Sequence, residues 1–583
     1  MTDPDKADPE TQNRAADHRA LWLCVLLVAA AVAATWPVLE MGTNDDSSYT
    51  YIARHLAETG HIAYNGWTAV ILIPQLVWAA GFVKLLGFSF FAVRLSTIVL
   101  ALLLAAVIYR LGRESGLRPG FAAFAALTTM LSPLTMPSTV SFMSDVPAFF
   151  LFAVCLYGAV RAWNAATARA FAGWAVLVAS AGFLSGLDRQ IYWLAPVLFL
   201  PILAWVRRRQ GGAAVPGAAW MLVAPAIALS LKWYAAQPYT LKEDIAGGLK
   251  GVTASALLHT EALLSGQLIF TLALMLTPVL AGMVAPGLRS VPRWAAAAAI
   301  GMVAAVGLAG LHWPQLQSPL MGNVLTHYGA VPVGVVVFGE PVLVLGTAAG
   351  EAITMGVVLC CAGGAFAVWS RRDAIRAGLR TDRSPVPIMV LSAVFTAGWV
   401  PVVLVRAATS PAIDRYVIPF IALAGIPLLW FFQQHMRGVL SRASWAMLAI
   451  FTVYGIAITH DAFAGGRARL EAAEALRRAG VPRTAISAGF EYDILTQLEA
   501  VGYVNHYLIG NPKGAYREVH CTDATPWYFE FLPQVQPRYV TSRSHIPGWA
   551  GAARPISYTT WLPPARRQIF AEKIPDEVRI GCH

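Results

Sequence analysis

Two adjacent carboxylates, Asp45 and Asp46, stand in the run Gly42-Thr43-Asn44-Asp45-Asp46-Ser47-Ser48-Tyr49, just past the first apolar segment. A third, Asp145, opens a later apolar segment within Ser144-Asp145-Val146-Pro147. Arg189, in Leu187-Asp188-Arg189-Gln190, and Arg415, in Asp414-Arg415-Tyr416, stand at the ends of two more. A carboxylate within hydrogen-bond reach of a hydroxyl can take its proton in a transition state. Arginine forks suit a phosphate that gathers charge as it departs. Asp45 is therefore the candidate base, with Asp46 and Asp145 as orienting partners or a second acid–base group, and Arg189 and Arg415 as phosphate binders. Crowded carboxylates can also hold a divalent metal. A bare Asp-Asp pair is poor evidence for one, and the sequence calls for no cofactor.

The same residues have plainer uses. Asp is favoured at helix N-caps, so Asp45-Asp46 and Asp145 would each cap the helix that follows. Arg189 and Arg415 would serve equally well as anchors that snorkel to a membrane interface. Lys232, Tyr234, Tyr239, Lys242 and Glu243 share one long loop, where Tyr and Lys are mostly interface anchors. His259, His312 and His327 have no ligand spacing.

What positions these residues is a membrane. Of 583 residues, 57% are hydrophobic and only 13% charged, where a soluble protein has about 25% charged. Apolar runs recur from residue 21 to residue 459, as in polytopic helical membrane proteins. Thirteen candidate spans are Leu21–Leu39, Phe90–Tyr109, Phe121–Pro137, Val146–Trp163, Phe171–Leu187, Ile191–Val206, Val215–Trp233, Leu263–Ala285, Ala295–Leu311, Ala352–Trp369, Val386–Val405, Tyr416–Phe432 and Trp445–Thr459. Several fall short of the ~20 residues that an ideal span needs. Residues 1–20 read as a polar, disordered cytoplasmic tail.

The net charge of +11 does not point to nucleic acid, because the arginines cluster in short loops between spans. One set holds Arg110, Arg113 and Arg118, then Arg207 to Arg209, then Arg371 to Arg383; it is assigned to the cytoplasm. The alternate set is sparse, with Arg189, Lys232, Lys242, Lys250, Arg406 and Arg415, and faces out. Ala69 to Leu86 is ambiguous. If it crosses, Asp45 and Asp46 lie opposite Asp145; if it lies in the interface, all three share one face.

A resemblance bears on that choice. Asn44-Asp45-Asp46 with Tyr49, Ile73-Pro74-Gln75-Leu76, Leu86-Gly87-Phe88, Ala92-Val93-Arg94-Leu95-Ser96 and Tyr109-Arg110-Leu111-Gly112 resemble the start of membrane glycosyltransferases with the GT-C fold. The likeness is to the glycosyltransferase family 39 group, which includes protein O-mannosyltransferases and the lipid A aminoarabinose transferase. Ser144-Asp145-Val146-Pro147 looks like that group's second Asp motif, and Asp414-Arg415-Tyr416-Val417-Ile418-Pro419 like its late Arg-Tyr motif. The resemblance implies an interfacial Ala69–Leu86, with both Asp motifs on the exoplasmic face of the inner, or plasma, membrane. It implies an all-α polytopic GT-C-like protein of about thirteen transmembrane helices with juxtamembrane helices. It also implies an inverting hexosyl or pentosyl transferase, a polyprenyl-phosphate sugar donor, and a lipid, glycan or protein acceptor. Tyr49 and Tyr416 join Arg189 and Arg415 as substrate-binding candidates. One departure is that relatives often carry a Lys or His and a double proline where this chain has Thr68-Ala69 and a single Pro74.

Beyond Thr459 the chain turns polar, and residues 460–583 read as a small exoplasmic, periplasmic α/β domain after the 21–459 transmembrane domain. Arg467 to Ala479 has helical spacing with Gly480 as a stop, and Thr484–Ala488 and Arg538–Thr541 read as strands. The run Ala479-Gly480-Val481-Pro482, followed by Gly489-Phe490-Glu491-Tyr492, resembles the start of the soluble tail in bacterial relatives. Cys521 and Cys582 are the only cysteines outside the spans, in an oxidising compartment, and are expected to pair. A transporter or lipid flippase would instead show intramembrane charges and repeated halves. Neither stands out, and an envelope assembly protein would leave the Asp motifs without a use.

Overall fold

The computed structural model describes residues 9–210, 212–242, 254–310, 320–330, 337–407, 413–436, 438–523 and 525–582. Glu243, Lys250 and His312 lie outside them. Eleven described helices are long and apolar enough to cross a membrane, or twelve counting the pair Ala262–Met275 and Thr277–Arg289, which is bent by 83°. The chain is a multi-pass helical membrane protein with a small C-terminal sheet.

The N-terminal part sets the frame. Helix α1 (Pro9–Ala34) starts inside the stretch expected to be a disordered tail. The Asp17 carboxylate accounts for the difference, because Arg110 and Arg113 at the far end of α4 (Phe90–Glu114) both pair with it. Helix α2 (Asp46–Thr59) follows the Asp45-Asp46 turn and ends on Gly60, whose φ of 78° is the left-handed conformation glycine tolerates.

Helix α3 (Ile73–Leu86) resolves the ambiguous stretch. Its 14 residues rise only ~21 Å, against a hydrocarbon core of ~30 Å. It packs against α2 and α4 and does not cross. Its head is fixed where Leu72 donates to the Leu187 carbonyl at 2.8 Å and the Gln75 amide donates to Asp188 at 3.0 Å.

The expected span Phe121–Pro137 is broken. Helix α5 (Pro119–Met130) stops short, and α6 (Thr135–Thr139) resumes after a turn in which Ser132 accepts from the Thr135 amide. Pro133 has no amide to continue the helical ladder. The segment still traverses, because Arg161 at the end of α7 (Asp145–Trp163) pairs with Glu114 at the end of α4 at 2.6 Å. Helix α8 (Ala168–Asp188) then returns to the end where α7 began.

Two other expected boundaries move. Leu263–Ala285 is the bent pair, with Pro278 just past the corner. Trp445–Thr459 and Arg467–Ala479 are one unbroken helix, Arg442–Arg478, of 37 residues. Hydrophobicity ends near Thr459, but the helix does not. Glu351 sits in the opening turns of Thr347–Trp369, at a span end.

The C-terminal sheet has order β1-β2-β4-β3, from β1 (Ile486–Ser487), β2 (Tyr539–Ser542), β3 (Ala550–Trp561) and β4 (Pro564–Lys573). β1 pairs parallel with β2, and the other pairs are antiparallel. β1 and β2 match the expected strands. The β3–β4 hairpin and helix Phe490–Val501 were not legible. One face of the hairpin lies on the long helix, with Ile569 buried against Ala468 and Ala472.

Cys521 and Cys582 form a disulfide with a sequence separation of 61. Closing a loop of that size stabilises by roughly 4 kcal/mol in the chain-entropy view. Cys521→Ser should therefore lower the melting temperature of the purified protein by several degrees. An unchanged melt would show that the bond carries no stability.

Candidate active site

The three expected carboxylates have two different fates. Asp46 is 1% exposed and is not among the residues that line the large cavity described below. Its oxygens accept from the Thr43 amide at 2.6 Å, the Thr43 hydroxyl at 3.0 Å and the Phe142 amide at 3.1 Å. Burial pushes its carboxyl above the usual range, with the Arg94 guanidinium and these bonds acting against that. Asp46 thus ties the loop before α2 to the loop before α7. Gly42 belongs to the same knot, since a Cβ there would run into Ser47 Oγ and Asp46 Oδ1. Arg94 secures the approach, its terminal nitrogens donating to the Leu39 and Met41 carbonyls.

Asp45 precedes α2 but makes no capping bond with its side chain. Its Oδ1 accepts from Trp67 Nε1 at 3.0 Å, and its Oδ2 lies 3.4 Å from an Arg415 terminal nitrogen. The other terminal nitrogen of Arg415 is 3.4 Å from Asp145 Oδ2. Asp145 Oδ1 is paired with Arg189, whose guanidinium lies 4.7 Å from the centre of the Tyr416 ring. Asp45, Asp145, Arg189, Arg415 and Tyr416 therefore form one cluster, and both Asp motifs lie at the same end of the helices. Tyr49 is buried beside them, and burial pushes its phenol up. Lone interface anchors would not pair with carboxylates in this way.

Two members had no role assigned from the sequence. Asp414 is buried, and its carboxylate accepts from the Val324 amide at 2.9 Å, the Leu325 amide at 2.7 Å and the Arg415 amide at 2.8 Å. It pins a distant loop to the head of helix Ile418–His435 and holds the Arg415 backbone. Trp67 is the second. Its indole reaches Asp45 while its ring packs on Phe490 at 5.2 Å and Phe531 at 5.5 Å, both in the C-terminal domain. A lone Trp between Gly66 and Thr68 gave no signal of this.

The cluster lines a cavity of about 940 Å³. Asp45, Tyr49, Trp67, Arg189, Arg415 and Tyr416 supply its polar end, whereas Val197, Ile227, Leu231 and Val403 line its apolar part. Lys242, from the loop read as interface anchors, also reaches its wall. Among the described residues no three His, Cys, Asp or Glu side chains come together as a metal site would require. The Arg415 guanidinium bridges Asp45 and Asp145.

Fold and site together define a polytopic membrane protein with a carboxylate–arginine cluster at the polar end of a largely apolar cavity. Residues 73–233 match the family of dolichyl-phosphate-mannose-protein mannosyltransferases. That stretch contains Asp145 and Arg189, and the chain resembles the GT-C, family 39 group that its motifs suggested. A comparison with curated proteins finds no match. Among solved structures, ArnT from Cupriavidus metallidurans bound to undecaprenyl phosphate aligns at 13% identity and a TM-score of 0.39, over 79% of this chain and 72% of that one. The same protein in the apo state aligns at 13% identity and 0.36, over 94% and 97%. The Archaeoglobus fulgidus oligosaccharyltransferase, in complex with Zn and sulfate, aligns at 12% identity and 0.27, over 69% and 53%.

The two fates of the carboxylates predict opposite behaviour. Asp46→Ala strands buried donors that cost about 1–3 kcal/mol each, so the detergent-solubilised protein should melt well below wild type. Asp45→Asn should melt within a degree or two of it. Equal melts for the two variants would contradict this division of labour.

Proposed function

We propose that the protein is an inverting glycosyltransferase, moving a sugar from a polyprenyl-phosphate donor to a hydroxyl acceptor at the exoplasmic membrane face. The observation that carries this reading is Arg415 in the wall of a largely apolar cavity, pairing with Asp45 in the same wall and with Asp145 behind it. A lipid-linked sugar phosphate is apolar along its chain and doubly demanding at its head, where an anion must be held and a hydroxyl deprotonated. The cavity offers both environments.

Each guanidinium is paired with a carboxylate. A donor phosphate is a better charge partner for Arg189 and Arg415 than a shared aspartate, because it offers several oxygens to the forks. Its arrival would loosen Asp45 from Arg415 and leave that carboxylate on its Trp67 hydrogen bond, close to the head group. The acceptor oxygen then attacks the anomeric carbon while the carbon–oxygen bond to phosphate breaks. The electron pair leaves with polyprenyl phosphate, held by the arginines. The acceptor proton passes to Asp45. Asp145 stays with Arg189 and keeps the phosphate clamp aligned.

Deleting the protein should cause one lipid-linked sugar to accumulate in the membrane, which identifies the donor. Asp45→Asn and Asp145→Asn should each reduce transfer from that donor by a factor on the order of 10² to 10⁴ while folded protein stays in the membrane. Full activity in Asp45→Asn would remove the base. The side is tested separately: a cysteine placed at Tyr507, which is 60% exposed, should react with a membrane-impermeant maleimide in cells whose inner membrane is intact. Labelling only after that membrane is opened would put the site on the wrong face.

A further inference from the structure

A second cavity, of about 120 Å³, lies between the long helix Arg442–Arg478 and the C-terminal sheet. Three side chains of its wall carry donors with nothing in the protein to receive them. Neither the Arg543 guanidinium nor the Tyr558 hydroxyl has a hydrogen-bond or ion-pair partner among the described residues, and neither is sealed from solvent. Arg469 gives one terminal nitrogen to Glu491 at 2.9 Å, while its other terminal nitrogen makes no hydrogen bond and is likewise not sealed. The carboxylates on the same wall are committed. Glu491 is held by Arg469, and Asp461 accepts from the Trp561 and Leu562 amides at 2.7 and 2.8 Å. Water would satisfy the open donors but brings no charge to Arg543. Burial, and then the neighbouring Arg469, push its guanidinium below the usual arginine range, and a nearby anion is what would offset both. Two guanidinium edges and a phenol suit the oxygens of a phosphate. A cavity of about 120 Å³ has room for one, since a single water needs ~10–15 Å³.

What lies below that cavity says what carries the anion. On the long helix its wall is Ile458, Asp461, Ala462, Gly465 and Arg469, at the three- and four-residue spacing of one helix face. The same face runs on into the membrane part as Tyr454, Phe451, Ile450 and Met447, which line a further cavity of about 430 Å³. Tyr454 and Ile458 are one turn apart, a rise of ~6 Å. Across from the helix, Val344 lines the upper cavity and its neighbour Leu345 the lower one. Among the described residues no charged side chain lines the lower cavity, and its Thr277 and Thr354 hydroxyls donate to helix carbonyls at 2.7 and 3.0 Å. A cationic chamber thus stands one helical turn above an apolar one.

We propose that these two cavities form one lipid site, in which Arg543, Arg469 and Tyr558 hold the phosphate of an anionic lipid and the lower cavity takes part of its chains. Neither cavity shares a lining residue with the large cavity of the carboxylate–arginine cluster, so this site is separate from the one proposed for the sugar donor. Such a lipid would sit there whether or not the chain transfers a sugar. Gly42 and Thr43 belong to the upper wall, so its head group would touch the turn that carries Asp45 and Asp46.

Native mass spectrometry of the detergent-solubilised full chain tests this with three probes: phosphatidic acid, diacylglycerol with the same chains, and inorganic phosphate. Wild type should retain phosphatidic acid in preference to diacylglycerol. Arg543→Gln should weaken phosphatidic acid by roughly tenfold or more and leave diacylglycerol unchanged. Tyr558→Phe should give a smaller loss in the same direction, which decides the matter should the Arg543 variant not fold. Gly356→Phe fills the lower cavity from a position where a Cβ meets nothing within 4 Å, and should weaken both lipids. Wild-type retention of phosphatidic acid in the Arg543 and Tyr558 variants would overturn the head-group site, as would equal retention of both lipids by wild type. Phosphatidic acid lost in Arg543→Gln but untouched in Gly356→Phe, with inorganic phosphate competing for the site, would make it a site for a free oxyanion and overturn the lipid.

Discussion

One guanidinium holds the site together. A cation 3.4 Å from each of two carboxylates attracts each by roughly 5 kcal/mol at an effective dielectric of about 20, which opposes the repulsion between them. Arg415 between Asp45 and Asp145 is therefore what allows two carboxylates to stand close together. The three residues come from widely separated parts of the chain. The pairing can form only when the turn before α2, the head of α7 and the head of helix Ile418–His435 have converged. Asp414 secures the last of these through backbone amides, and Asp46 joins the first two.

Legibility followed the range of the signal. Helices of the membrane part were readable because one property, sustained apolarity, decides them within a short window. Their breaks were not, because Pro133 and the corner near Pro278 interrupt runs that stay apolar throughout. In the soluble part β1 and β2 were readable from local pattern. The β3–β4 hairpin was not: β3 mixes Arg554, Pro555 and Ser557 with apolar residues, and packing on the long helix is what selects its buried face.

The cluster itself was legible in part. Asp45, Asp145, Arg189 and Arg415 could be picked out as charged residues at the ends of apolar runs, where charge is costly unless it has a use. Asp46 could not be told from Asp45 by type or position. Only the placement of the Thr43 and Phe142 amides separates them. Trp67 and Asp414 act through contacts with segments far away in the chain, the C-terminal domain and a loop 90 residues before Asp414, which no local pattern announces.

The unbroken helix Arg442–Arg478 has a mechanical meaning. Its 37 residues span ~55 Å, of which a bilayer takes ~30 Å. About 25 Å is left as a stiff strut under the sheet. The C-terminal unit is thus built on the end of a membrane pillar rather than hung from a tether. Arg469 on that pillar grips Glu491 at 2.9 Å, and the Glu491 carbonyl accepts from Ser47 at 3.0 Å, beside the carboxylate turn. A thinner or thicker bilayer that tilts the pillar would move this contact with it.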